Sequence, residues 1–309
     1  MTSANGRLTA SVVVPTRARP DFLRKCLESL VTQDYPKDCY EIIVVEDGTR
    51  DGEEIVRDIS LRSTVAIRYQ PIPHSGAATA RNVGLTLSNN QIVAFIDDDG
   101  MASVSWLTRL LAALSKSGVA AVGGRVVPDY PDPSIEAAAL NDGTLKFSGT
   151  NAEVEGLPEV DFVPGGNMAF WRQALLDIKG LDAGFSRGGS WREDTDVCVR
   201  LRFKGHRILY DSQAKISHRA ARWQDPLDRV RPGIVWLMTR DDSYFRAKNY
   251  GWAGVLGGAR GAARDAGRRW FFSGVYFLLG FVHLFAWIPG AVRGLTRKDR
   301  QLGTLDEKL

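Results

Sequence analysis

The sequence is short of cysteine and histidine, with 3 and 4 respectively in 309 residues. Cys26, Cys39 and Cys198 are odd in number and widely spaced. That excludes a disulfide framework or a paired-cysteine zinc site, and it favours a reducing compartment. So few histidines suggest no Ser–His–Asp set. No GxGxxG follows the first strand-like run, and no GxxxxGK[ST] occurs; the glycines at Gly257, Gly258 and Gly261 have no strand before them. Dehydrogenase and P-loop NTPase readings therefore fail. Met1 to Ala10 lacks the apolar run of a cleaved secretory leader, so none is expected. No internal repeat is evident.

What is present is ordinary globular material, 44% hydrophobic and 25% charged, which rules out a disordered or fibrous chain. The length suits one large domain plus an extension. The net charge of +4 is unevenly spread. From Gly254 onward nine basic residues (Arg260, Arg264, Arg268, Arg269, Arg293, Arg297, Lys298, Arg300, Lys308) face four acids (Asp265, Asp299, Asp306, Glu307). The basic character belongs to this tail and says little about the partner of the rest.

Ser11 to Pro15 (SVVVP) and Glu41 to Val45 (EIIVV) read as buried strands, as does Gln91 to Ile96 (QIVAFI). Val65 to Tyr69 and Val119 to Val127 are further strand candidates. Asp21 to Val31, Ala77 to Leu87 and Trp106 to Ser115 read as helices. Such alternation predicts a mostly parallel mixed sheet between helices, an α/β fold that binds ligands at the carboxyl ends of its strands. Three of those ends carry polar clusters: Pro15-Thr16-Arg17, Glu46-Asp47-Gly48 and Asp97-Asp98-Asp99. Pro128 to Glu159 reads as a loop region. Phe162 to Phe170, which holds Gly165-Gly166-Asn167, suggests a close backbone approach. A helix from Asp194 to Lys204 and short closing strands at Ile208 to Tyr210 and Lys215 to His218 complete this part.

The tail differs. Residues 270–288 (WFFSGVYFLLGFVHLFAWI) carry no formal charge and are flanked by arginines. At about 20 residues per span the stretch is just long enough to cross a bilayer. It also suits an in-plane helix or a helix–helix contact, since Ser273, Gly280, His283 and Trp287 make a polar or small-residue stripe. Arg260, Arg264 and Arg268 share one helical face, suited to anionic headgroups or simply to solvent.

The acids suggest chemistry. Asp97, Asp98 and Asp99 at a strand end repel one another and need a cation or many N–H donors. Mg²⁺ or Mn²⁺ holding a diphosphate is the natural partner for such hard oxygen ligands. Asp47 can accept N–H bonds from a nucleobase, although Asp-Gly also simply favours turns. Arg81 is placed to bind phosphate or to orient these acids, or else forms a surface ion pair. Glu193-Asp194, with Asp196, heads a helix; such acids complement the dipole or serve as a base. His218 is a possible third metal ligand.

In order, SVVVPTRARPDFLRKCLESL (11–30), EIIVVEDGT (41–49), HSGAATARNVGL (74–85), IVAFIDDDG (92–100), VPGGNMAFWRQAL (163–175) and WREDTDVCVRLRFKGHRILYD (191–211) resemble family 2 glycosyltransferases of the GT-A fold. The resemblance implies a GT-A catalytic domain over 1–222 and a helical extension over 223–309. It implies that Pro15, Thr16 and Arg17 line the nucleotide edge, that Asp47 reads the base, and that Arg81 serves the donor side. Glu46 stands where aspartate is more usual. Asp97-Asp98-Asp99 fills the DxD position, with Asp97 or Asp98 toward the ribose and Asp99 on the metal; His218 is the weaker second ligand. Gly165, Gly166 and Asn167 would form the sugar and acceptor floor. Asp194, with Glu193 beside it, would be the general base, and Trp191 an acceptor platform.

The implied reaction moves a sugar from a nucleotide-diphosphate donor to a hydroxyl of a glycan or lipid-linked acceptor, with inversion. The metal and arginines would offset charge on the leaving diphosphate. A nucleotidyltransferase fits less well, because Thr16-Arg17-Ala18-Arg19 lacks the glycines of a triphosphate loop. A non-catalytic scaffold subunit is the other alternative; the full set of acids argues against it. The expected location is cytoplasmic, at the inner face of the membrane, with the tail on an anionic surface and no nucleic-acid partner.

Overall fold

The structure is a computed structural model, and it describes residues 6–128, 153–185, 192–218, 232–270 and 287–296. The loop region at 129–152, Trp191 and most of the apolar stretch 270–288 lie outside the described residues, as do the side chains of Arg260, Arg264 and Arg268. The chain divides into two compact units: residues 1–183 with 193–220, and residues 184–192 with 221–309.

The first unit is built on an eight-stranded sheet. Its strands are β1 (Ala10–Thr16), β2 (Tyr40–Asp47), β3 (Ala66–Ile72), β4 (Ile92–Ile96), β5 (Gly100–Ala102), β6 (Val119–Pro128), β7 (Asn167–Trp171) and β8 (Arg207–His218). They lie in the order β3-β2-β1-β4-β7-β6-β8-β5. The first four are parallel, β7 runs antiparallel between β4 and β6, and β8 pairs parallel to β6. The expected mixed sheet is present. One expectation changes: the two short closing strands are a single strand, β8, whose pairing with β6 shifts register between Gly124 and Val126. A bulge there hides the continuity from sequence.

The helices are α1 (Pro20–Val31), α2 (Glu53–Arg62), α3 (Ala77–Leu87), α4 (Trp106–Leu114), α5 (Arg172–Asp177) and α6 (Glu193–Phe203). Pro20 opens α1, where its missing N–H is harmless, and Leu23, Cys26, Leu27 and Leu30 give it a buried face. β1, β2 and β4 carry runs of Val and Ile and are buried almost throughout, as strands covered on both faces are. The main core joins Val12, Val14, Ile42, Val44, Ile92 and Ala94 to α1 and to Trp106, Leu107 and Leu110 of α4. The three cysteines are buried thiols. Burial pushes Cys26 and Cys198 well above the ordinary thiol value.

This order creates the site. From β1 the chain winds outward to β2 and β3, then crosses back through α3 to β4 on the other side of β1. The carboxyl ends of β1 and β4 thus border the reversal point of the sheet, where a crevice opens.

The second unit holds α7 (Pro232–Trp270), broken by a non-helical Gly251 (φ 58°, ψ −143°), and a helical stretch at 287–296. Gly290 and Gly294 bring this stretch onto the first half of α7: a Cβ at either would fall 2.0 Å from Arg240 O or 2.5 Å from Tyr244 O. Phe185 packs edge-on to Tyr244 at 5.0 Å, and Arg192 pairs with Asp242 at 2.8 Å.

Gly84 lets α3 pack closely on Val13 of the sheet. A Cβ there would lie 2.3 Å from Val13 Cγ1. Overpacking of this kind costs about 1–3 kcal/mol, so Gly84→Ala should lower the unfolding free energy by about 2 kcal/mol in urea titration. An unchanged midpoint would mean that α3 does not lie where the structure puts it.

Candidate active site

The chain leaves β4 directly into Asp97, Asp98 and Asp99, and each carboxylate is handled differently. Asp98 is buried and accepts bonds from Thr16 Oγ1 at 2.7 Å and Arg19 Nη1 at 3.1 Å. Burial pushes it up to about 6, with Arg19 opposing and Asp99 adding to the rise. Asp99 faces Arg19 Nη1 at 3.0 Å and His218 Nε2 at 3.1 Å. Burial would raise its pKa, but the close approach and charge of His218, with Arg19, outweigh it and hold the carboxyl below its ordinary value. Asp97 is half-buried and receives Arg81 Nη2 at 2.7 Å.

Arg81 is the hinge of the arrangement. It projects from α3, is buried, and gives its other terminal nitrogen to Glu193 Oε1 at 3.0 Å. One guanidinium thus ties the end of β4 to the start of α6. Glu193 is buried as well: burial, then the Asp194 charge, push it up to about 7 against the pull of Arg81. Asp194, half-buried, accepts from Gly165 N at 2.9 Å and from Thr195 N at 2.6 Å.

Gly165-Gly166 fills the space between the two groups of acids. A Cβ at Gly165 would sit 3.3 Å from Asp194 Oδ2, and one at Gly166 2.7 Å from Asp97 Oδ2. Glycine lets the backbone pass this close without displacing either carboxylate. Asp97, Gly166, Gly165 and Asp194 therefore form one contiguous surface.

The donor set includes a group of side chains that could hold a cation. One ligand atom from each of Asp97, Asp99 and His218 lies within 4.8 Å of the others. Among the described residues, buried Asp99 Oδ1 receives no aligned hydrogen bond, although His218 Nε2 is 3.1 Å away. An unsatisfied carboxylate oxygen beside a second carboxylate and an imidazole fits a divalent ion.

At the end of β2, Asp47 is held by Ser75 N at 2.5 Å, Gly76 N at 2.9 Å and His74 Nδ1 at 2.8 Å. Arg17, exposed past β1, reaches His74 Nε2 at 3.1 Å. If Nε2 accepts from Arg17, then Nδ1 carries the proton toward Asp47. Glu46 takes Thr49 Oγ1, Asp51 N, Gly52 N and Tyr69 Oη, so it organises the turn into α2.

The family model described as "Glycosyl transferase family 2" matches residues 11–178, more than half of the chain. The chain belongs to this family. It is 29% identical over 170 residues to a glucosyl-dolichyl phosphate glucuronosyltransferase of Haloferax volcanii, covering 53% of this chain and 52% of that protein. It is 36% identical over 135 residues to glycosyltransferase AglE of the same organism, covering 43% and 44%. The chain spans about half the length of these curated relatives. Among solved structures, the mannosyltransferase PcManGT from Pyrobaculum calidifontis in complex with GDP-Man and Mn²⁺ superposes with a TM-score of 0.59 at 17% identity, covering 94% of this chain and 88% of that one. S. aureus TarS 1-349 in complex with UDP gives 0.57 at 15%, covering 96% and 92%. At such identities the likeness is one of fold, and the fold is GT-A.

Most of the residues expected at the site of this family-2 chain come together: Thr16, Arg81, Asp97, Asp98, Asp99, Gly165, Gly166, Glu193, Asp194 and His218. Arg17 and Asp47 form a second group with His74. Pro15 is buried within β1 opposite Val45, next to Thr16 at the strand end. One expectation needs correcting. Asn167 is fully buried: Oδ1 accepts Trp106 Nε1 at 2.8 Å, and Nδ2 donates to Arg125 O and Ala214 O. Its side chain joins α4, β6 and β8 and contributes nothing to a sugar floor. Asp97 lies with the cation ligands, and Asp98 is the one held against Thr16.

Sequence reasoning missed Arg19 and His74 as site residues. Arg19 was visible as charge in the run after β1, and its position just before Pro20 fixes it beside a helix start. His74 carried no signal beyond its place before Gly76.

Asn167→Ala leaves a buried indole N–H and two buried carbonyls without their partner, at about 1–3 kcal/mol each. The variant should unfold roughly 3 kcal/mol earlier in denaturant while its folded fraction binds nucleotide as the parent does. A loss of nucleotide affinity with unchanged stability would return Asn167 to the site.

Proposed function

We propose that the protein is a metal-dependent inverting glycosyltransferase that moves a sugar from a nucleoside-diphosphate donor to a hydroxyl of a glycan or lipid-linked acceptor. The observation that carries this reading is the continuous surface from Asp99 and Asp97 across Gly166 and Gly165 to Asp194. It sets a cation-binding end beside a carboxylate with room to take a proton.

Asp97, Asp99 and His218 would hold Mg²⁺ or Mn²⁺. When bound, the ion supplies charge neutralisation for a departing diphosphate. Arg19 lies against the same two acids and adds fixed positive charge at the diphosphate end. Thr16 and Asp98 border the ribose side, and the Arg17–His74–Asp47 group stands at the base end. Asp194 acts as general base. Its Gly165 and Thr195 bonds fix its orientation, and its partial exposure leaves an oxygen edge for an acceptor hydroxyl. Arg81 keeps that base in register with the donor end through Glu193 and Asp97. Deprotonation on the side away from the leaving group gives a single displacement and inversion. Trp191 remains the proposed acceptor platform. The relative named as a glucosyl-dolichyl phosphate glucuronosyltransferase favours a lipid-linked acceptor, which would bring the reaction to a membrane face.

A positioned base contributes about 10²–10⁴-fold to rate. In assays with UDP- and GDP-linked hexoses, Asp194→Asn should lower kcat by roughly 10³-fold, with the donor KM nearly unchanged. Retention of half the activity, or an equal loss in donor binding, would remove Asp194 from the base role.

A further inference from the structure

Four of the large apolar side chains that the structure leaves in water lie in the second unit: Trp252 (69% exposed), Leu256 (57%), Ile288 (58%) and Val292 (56%). They form two pairs at i, i+4, one just past the Gly251 break in α7 and one on the stretch 287–296. A random scatter of surface leucines would need no comment, but paired spacing on two helices makes two apolar stripes.

The stripes share a neighbourhood. Val255 of α7 and Ala291 of the other helix belong to one small buried cluster with Ala247. Trp252 and Leu256 stand at i−3 and i+1 from Val255, and Ile288 and Val292 stand at the same offsets from Ala291. Each exposed pair therefore flanks the residue through which its helix touches that cluster. Gly290 and Gly294 face the first half of α7, which leaves Ile288 and Val292 outward.

Charge distinguishes between occupants. Asp241 and Asp242 are consumed internally, by Arg240 at 3.2 Å and by Arg246 and Arg192 at 2.7 and 2.8 Å. Beyond them, from Gly254 onward, nine basic residues face four acids, with Arg260, Arg264, Arg268 and Arg269 before the second stripe and Arg293 within it. Arg293 is exposed, with its guanidinium 5.2 Å from the Tyr244 ring. Apolar stripes in an arginine-rich sequence, with Arg293 exposed beside one of them, match a lipid surface with anionic headgroups, where Trp and aliphatic side chains enter the acyl boundary and arginines stay at the headgroups. A second copy of the same basic surface would meet like charge. Among the described residues no helix is long and apolar enough to cross a membrane, and the contact proposed is the one made by the exposed side chains named here.

We infer that the second unit docks in the plane of an anionic membrane through Trp252, Leu256, Ile288 and Val292. This names the surface behind the membrane placement given above, and it stands whether or not the first unit transfers sugars. Full-length protein would be floated with vesicles of phosphatidylcholine alone or with about 30% phosphatidylglycerol. Two double variants would be compared: Trp252→Gln with Leu256→Gln, and Ile288→Gln with Val292→Gln. All four side chains are exposed, so both variants should keep the parental melting transition; if one does not fold, the other carries the test. The expected result is binding that needs phosphatidylglycerol, weakens in about 0.5 M salt, and falls roughly ten-fold or more in either variant. Equal binding by a folded variant overturns the inference, as does absence of the parent from anionic vesicles. A parental dimer that the variants convert to monomer assigns the face to a second copy and also overturns it. Nucleotide binding with Mn²⁺, measured on the same samples, reports on the catalytic reading separately.

Discussion

Carboxylates crowded into a low-dielectric pocket destabilise one another unless cations or N–H groups come with them. The end of β4 crowds three, and the surrounding structure is organised by how each is neutralised. Asp98 takes a hydroxyl and a guanidinium and rests against β1. Asp99 takes His218 from β8 and shares Arg19, which draws the far edge of the sheet and the start of α1 to the same point. Asp97 takes Arg81, which itself holds Glu193. Residues far apart in sequence are therefore fixed around a single excess of negative charge. That excess is not fully cancelled, since one buried oxygen of Asp99 has no aligned donor among the described residues. Such an excess of negative charge on oxygen ligands suits a divalent ion.

The same constraint explains the glycines. Gly165 and Gly166 run between Asp97 and Asp194, where a Cβ would press on the carboxylates, at 2.7 Å for Gly166. Backbone is thereby interposed between the donor end and the candidate base, which keeps them close without a side chain that could shift. The buried Arg81 is a cross-tie whose loss would leave the buried Glu193 and the half-buried Asp97 without their shared guanidinium.

The frame of the fold was readable because its strands are buried on both faces. Runs such as SVVVP, EIIVV and IVAFI have few other structural outcomes, and polar clusters at their ends announce the ligand edge. Helix α2 escaped notice because its apolar positions, Ile55, Val56 and Ile59, are few among acids and arginines. The single strand β8 was split in two by its bulge. Among site residues, those set by local chain order were legible: acids after a strand, and acids at a helix start. Asn167 was misassigned because its neighbours suggested a sugar floor, while the indole and carbonyls that consume it come from residues 42 to 61 positions away. Arg19 and His74 depend likewise on pairings that only the closed sheet creates.

The central claim is that Asp97, Asp99 and His218 form a cation site that is coupled to nucleotide binding. Isothermal titration of UDP and GDP into the protein, with and without Mn²⁺, tests it most directly when Asp99→Asn and His218→Ala are run beside the parent. The account predicts that at least one nucleotide binds tightly only with Mn²⁺, and that both variants lose most of that metal-dependent gain. Equal affinity with and without metal, or variants that keep the parental dependence on Mn²⁺, would contradict it.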